Sequence, residues 1–123
     1  LGYVIAGRYS IYFPGDTDLF PSMDSLYKGL DVALMPVGGW GPTLGAGHMN
    51  PARAAEALAL LQPRIAVPIH WGVLRPTGMH YFTTGFLKLP PLAFAHHAAE
   101  TAPDVAVRVL EPGGSLALDH ALA

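Results

Sequence analysis

The chain contains no cysteine, so it can build neither a disulfide framework nor a thiolate metal site. It is also short of charge. Only 13% of its 123 residues are Asp, Glu, Lys or Arg, about half the usual share for a globular domain. Apolar residues make up 51%, which excludes intrinsic disorder, because disorder requires low hydrophobicity together with high charge. Long apolar runs are missing too: none approaches the ~20 residues that span a bilayer. No basic segment leads into an apolar stretch at the start, so no signal peptide is visible and the cytoplasm is the expected location. A formal net charge of −2 offers no basic footprint for nucleic acid.

Glycine and proline are plentiful instead. Fourteen glycines and twelve prolines are too many for a helical bundle. The chain opens without Met, directly on the apolar stretch Leu1-Gly2-Tyr3-Val4-Ile5-Ala6. A domain of this length buries roughly two-thirds of its unfolded surface. The low charge count therefore implies apolar surface that awaits a partner, either a second copy in a homo-oligomer or a missing part of the same chain.

Tyr3–Ala6 and Ser10–Phe13 read as short strands joined by a turn at Gly7-Arg8, a hairpin. Residues 22–30 suggest a short helix with Ser22 as N-cap and Gly29 near its end. Val32–Val37 shows no polar alternation, as expected of a strand covered on both faces. After the glycine-rich loop 38–50, Asn50-Pro51 is a clear helix start, with an N-cap side chain followed by Pro at N1. That helix should run from Ala52 to Leu61 and stop at Pro63. Ile65–Ile69 is a second buried strand, ending on His70-Trp71-Gly72. Residues 73–90 look irregular, 91–101 helical, and 105–110 and 115–118 extended, with a frayed tail from Asp119. Strands alternating with helices predict an α/β fold, a mixed sheet with helices packed on it.

Asp16 and His70 each follow an apolar strand, and His48 lies in the long loop after another. Ligands of open α/β sheets gather at the carboxyl ends of strands, so parallel strands would bring these three residues to one edge. Asp and His suit zinc, manganese or iron. Each residue has a plainer reading beside this one. Asp16 in Pro-Gly-Asp-Thr could bond its own backbone in a turn. His70 could be a satisfied histidine at the border of the core. His48 could cap the following helix or pack against Trp40 or Trp71. His96 and His97 lie on a predicted helix, where a solvated face is the default.

Four segments occur in order: Phe-Pro-Gly-Asp-Thr-Asp at 13–18, Leu-Asp-Val-Ala-Leu-Met-Pro-Val-Gly at 30–38, Gly-His-Met-Asn-Pro-Ala-Arg-Ala at 47–54 and Val-Pro-Ile-His-Trp-Gly at 67–72. Together they resemble the C-terminal half of a metallo-β-lactamase-fold hydrolase. The similarity is greatest to the branch containing L-ascorbate-6-phosphate lactonase and N-acyl-phosphatidylethanolamine phospholipase D. The resemblance implies one ββα half of a four-layer αββα sandwich, with residues 1–123 as a single partial domain. It implies two divalent metal ions, zinc foremost and manganese or iron as alternatives. The activity implied is hydrolysis of an ester, lactone, phosphodiester or amide by a metal-bound hydroxide, on a small-molecule or lipid-like substrate. By the same resemblance Asp16 would bridge the metals, His70 would bind the second, and His48 would act on the substrate. Trp40, Trp71 and the segment 78–86, including His80, would wall the pocket, with core packing the weightier alternative for both tryptophans.

The family's main ligand motif, His-X-His-X-Asp-His, does not occur in this sequence. The chain is therefore expected to be a fragment, inactive by itself, whose missing N-terminal half supplies the remaining ligands. The alternative is a non-catalytic α/β module, or a half-domain that assembles with a second chain. Three structural expectations follow. The Asp16 and His70 side-chain tips should lie within about 4–5 Å, the span of one metal ion. An apolar face should be uncovered on strands 3–6, 10–13 and 32–37. His48 should sit near the N-terminus of the helix that follows it.

Overall fold

The computed structural model describes residues 2–15, 18–38, 49–71 and 89–123. Five strands form one sheet in the order β1-β2-β3-β4-β5: β1 Tyr3–Ala6, β2 Ser10–Phe13, β3 Val32–Pro36, β4 Ile65–Ile69 and β5 Ala106–Val107. The expected hairpin is present, with Tyr3 opposite Phe13 and Ala6 opposite Ser10 in antiparallel register. The pairs β2–β3, β3–β4 and β4–β5 are all parallel. The sheet is therefore mixed, and β2, β3 and β4 all end at the same edge.

Helix α1, Pro51–Leu61, crosses from β3 to β4, and helix α2, Leu89–Thr101, precedes β5. Asn50 caps α1 as its residue type suggests: its side chain accepts from the Arg53 N–H at 2.9 Å, and Pro51 occupies N1. The helix ends on Gln62, whose left-handed backbone (φ 48°) precedes Pro63. Helices α1 and α2 cover one sheet face. Ala54, Ala55, Ala57, Leu58, Phe94 and Ala98 pack there against Tyr12, Ala33, Met35 and Ala66 in the main core. Small alanines on α1 let the two helices approach each other and the sheet closely.

The opposite face carries Val32, Ile65 and Val67, covered by Leu116, Leu118, Ala121 and Leu122 of the C-terminal segment. Three departures from expectation arise here and nearby. The strand expected at 115–118 and the frayed tail are replaced by an extended segment and a short helix α3, Leu118–Ala121. A strand needs a ladder partner, and β5 pairs with β4 over only two residues. The tail is instead held by its leucines, by Arg64 Nη2 donating to the Leu122 carbonyl at 2.7 Å, and by Asp119, which accepts from Tyr9 and pairs with Arg8. The helix expected over 22–30 is a single 3₁₀ turn, Pro21–Ser25, with Phe20 rather than Ser22 at the cap position. It has one buried anchor, Met23, and so little apolar burial cannot offset helix nucleation.

The uncovered apolar surface is narrower than the sequence suggests. Tyr3, Ile5 and Phe13 are exposed at 58%, 59% and 39%, but Val32, Met35 and Val37 of the central strand region are buried. The C-terminal segment reaches the β3–β4 part of this face and leaves the β1–β2 part open. No helix among the described residues is long and apolar enough to cross a membrane.

Candidate functional site

A proline, Pro68, marks how β4 ends. In a strand, the N–H and C=O of one residue point the same way and alternate along the chain. The Ala66 carbonyl accepts from Arg108 N–H on the β5 side. Pro68, two residues on, faces that side as well, beyond the last β4–β5 pair. A missing N–H costs nothing there, so proline is tolerated inside a central strand. Past Ile69 the sheet opens into the edge where β2, β3 and β4 terminate.

His70 is the first residue past β4. It is exposed, and its φ of 62° is left-handed. Histidine is among the types that tolerate this region, yet a non-glycine residue there is uncommon. Around it the backbone is tightly held. Val37 N–H donates to the Ile69 carbonyl at 3.1 Å, extending the β3–β4 ladder to the edge. A Cβ on Gly38 would meet Pro90 at 3.2 Å and the His70 carbonyl at 3.4 Å, so the end of β3, the turn after β4 and the start of α2 approach closely at a residue without a side chain. Trp71 is half-buried against the main core, and its indole N–H donates to the Pro68 carbonyl at 3.0 Å.

The turn after β2 reaches the same edge. Gly15 is left-handed at φ 72°. Asp18 Oδ1 accepts from Leu19 N–H at 2.7 Å and from Arg53 Nε at 2.8 Å. This ion pair ties the turn after β2 to the first turn of α1, and the hydrogen bond to Asp18 is the main reason the Arg53 pKa is raised. The sequence reading missed both residues. A signal was available: α1 has no acidic residue in its first turn, and an arginine there opposes the helix dipole. Such a placement points to a partner outside the helix.

Of the residues singled out from sequence, Asp16, Trp40, His48 and His80 lie outside the described residues, as does the expected Asp16–His70 separation. His70 and Trp71 are described, side by side at the open edge. Among the described residues no group of three or more His, Cys, Asp or Glu could hold a metal ion. His70 is the one candidate donor described there whose side chain is exposed.

Strands β2 to β4 end together beside the capped start of α1, the kind of edge at which open α/β sheets generally bind ligands. A family model described as "Beta-lactamase superfamily domain" matches residues 1–71, more than half of the chain. The chain belongs to the beta-lactamase superfamily. It is 34% identical over 119 residues to a metal-dependent hydrolase of Methanopyrus kandleri, covering 94% of this chain and 44% of that protein. It is 38% identical over 122 residues to one from Caldivirga maquilingensis, covering 96% of this chain and 46% of that protein. The chain thus spans less than half the length of these curated relatives. Among solved structures, a metallo hydrolase from Ignicoccus hospitalis matches with TM-score 0.65 and 30% identity, over 93% of this chain and 43% of that one. A metallo-beta-lactamase fold protein from Bacillus subtilis matches with TM-score 0.60 at 16% identity, over 89% and 41%, which supports the fold alone. The expected α/β fold of metallo-β-lactamase type is therefore the observed one.

Proposed function

We propose that this superfamily member forms one part of a metal-dependent hydrolase whose site lies at the carboxyl edge of β2, β3 and β4. The observation that carries the reading is His70, an exposed imidazole held in a left-handed turn at the edge where three strands end. The names of the relatives, metal-dependent hydrolases of archaea, support it. Asp16 and His70 are the metal ligands in this reading, and His48 acts on the substrate. Hard and borderline donors of this kind suit a divalent cation, zinc first. Bound there, two such ions supply an activated water at neutral pH and positive charge for a developing oxyanion. His70 holds its part of the site through the rigid end of β4, and Asn50 fixes the α1 start just after His48. The branch resemblance points to a lactone or phosphodiester among the substrate classes. Tyr3, Ile5 and Phe13 form the apolar strip against which the rest of a longer polypeptide, carrying the further ligands, packs.

The test uses the full-length protein that contains this chain. Metal content is measured by elemental analysis, and turnover with a panel of lactone, phosphodiester, ester and amide substrates. Asp16→Ala and His70→Ala should each lose metal and activity. His48→Ala should lose most of kcat with metal content unchanged. Wild-type protein that takes up no metal and turns over none of the panel would instead support a non-catalytic α/β module.

A further inference from the structure

The end of β4 poses a local problem in physical chemistry. The Pro68 carbonyl points to the β5 side, where the ladder has already stopped at the Ala66–Val107 pair. That carbonyl sits in a strand whose first four residues are buried, and a buried acceptor left unmet costs free energy. Two residues later His70 takes a left-handed backbone that a non-glycine residue adopts only when its surroundings hold it there. One side chain answers both demands. The Trp71 indole packs against the main core and turns its N–H back to the Pro68 carbonyl at 3.0 Å, closing a ring around Ile69 and His70. Indole is a donor only, so the bond has one direction and one geometry. On the other side, Val37 N–H holds the Ile69 carbonyl, and Gly38 leaves room for the His70 carbonyl beside Pro90.

We infer that Trp71 is the positioning residue of His70: its indole N–H, clamped to the Pro68 carbonyl, locks the left-handed turn that presents the His70 imidazole at the sheet edge. This inference rests on the reading of His70 as a metal ligand. It assigns Trp71 a role beneath the ligand, through its N–H rather than through contact with substrate. Groups that orient a ligand typically alter metal affinity about 10- to 100-fold when removed.

Trp71→Phe keeps an aromatic ring in the core contact and deletes only the N–H. In the full-length protein, cobalt(II) is titrated against a competing chelator and its visible absorption recorded, alongside thermal melting of the metal-free protein. The expected result is a cobalt affinity about tenfold weaker with an altered absorption spectrum, while the metal-free melting temperature falls by no more than a few degrees. Unchanged affinity and spectrum overturn the inference. So does a fall in affinity matched by a broad loss of metal-free stability, because Trp71 would then be packing alone. If Trp71→Phe does not fold, hydrogen exchange of the Trp71 indole N–H in the wild-type protein replaces it: exchange much slower than that of a free indole supports the clamp, and exchange as fast as a free indole overturns it. His70→Ala separates the two levels. Loss of cobalt in His70→Ala but not in Trp71→Phe defeats the clamp and leaves the metal reading standing. Wild-type cobalt affinity in His70→Ala defeats both.

Discussion

The two edges of the sheet are built on opposite principles. At the edge where β2, β3 and β4 begin, Ser10, Asp31 and Arg64 are tied into one polar network. Asp31 Oδ2 accepts from the Ser10 N–H at 2.8 Å and the Ser10 hydroxyl at 3.1 Å, and Asp31 N–H donates to Ser10 Oγ at 2.9 Å. Arg64 approaches Asp31 at 3.5 Å and pins the C-terminal segment through the Leu122 carbonyl. At the edge where the strands end, an imidazole stands exposed on a left-handed residue, and the side-chain connections include a helix cap, one half-exposed ion pair and the indole bond from Trp71 to the Pro68 carbonyl. The first edge spends its polar groups on joining β2, β3, β4 and the tail. The second leaves a side chain available for chemistry at the cost of local backbone strain.

Substitutions should separate these edges, and the largest effect belongs to the closed one. Asp31→Ala leaves the buried Ser10 N–H without its carboxylate acceptor and the Ser10 hydroxyl with only the Gly29 carbonyl, so unfolding free energy should fall by about 2 kcal/mol. For a chain of this length that is a drop of roughly 5–10 °C in melting temperature. Thermal unfolding checks it, and a change below 1–2 °C, roughly a fifth of that shift, would remove the contrast between the edges.

The same carboxylate sets an acid dependence. The Ser10 N–H is the main cause holding the Asp31 pKa below its usual 3.8, with the Ser10 hydroxyl and Arg64 adding to it against some desolvation. A pKa lower in the folded state means the stabilisation is complete above the unfolded value and is lost as pH falls through the folded one. Urea midpoints of wild type and Asp31→Asn should therefore differ most near neutral pH and converge as pH drops below 3.8. Parallel curves down to pH ~2, well below an ordinary carboxylate pKa, would show that Asp31 does not carry the acid sensitivity of this edge.

At the open edge the changes are smaller. Asn50→Ala removes the acceptor for the Arg53 N–H at the start of α1 and should cost about 1 kcal/mol, read from denaturant unfolding. His70→Gly gives the sharpest reversal. Relief of the left-handed backbone should leave stability unchanged or raise it by up to about 1 kcal/mol, while metal binding disappears. If His70→Gly destabilises the fold as Asp31→Ala does, His70 is structural and the two edges are alike.

Which parts were legible in the sequence follows from the range of the forces involved. The hairpin 3–13 was readable because β-branched and aromatic residues flank one short turn. Helix α1 was readable because Asn50 and Pro51 state its start within two residues. The buried character of Val32–Pro36 and Ile65–Ile69 was readable because both runs lack polar alternation. The turn at Pro21–Ser25 and the tail at 115–121 were misjudged, because each depends on what lies across from it. Residues 115–118 have strand character but no ladder to join, and the tail is ordered by Arg64, Tyr9 and Arg8, which lie far away in sequence. His70 and Trp71 were picked out from the strand end and the resemblance. Arg53 and Asp18 were not: an arginine opposing the α1 dipole signals that a partner exists, but Asp18 lies 35 positions away and no local pattern names it.

The α/β class, the central strands, the start of α1 and the kinship are all written in contiguous residues, whose preferences act over one or two turns of chain. Packing across the fold sets the rest: Asp31 and Ser10 lock one edge, the C-terminal leucines cover the β3–β4 part of the second sheet face, and His70 takes a left-handed turn beneath which the Trp71 N–H meets the Pro68 carbonyl. These contacts depend on where parallel strands stop relative to one another, a register that packing sets and no single segment contains.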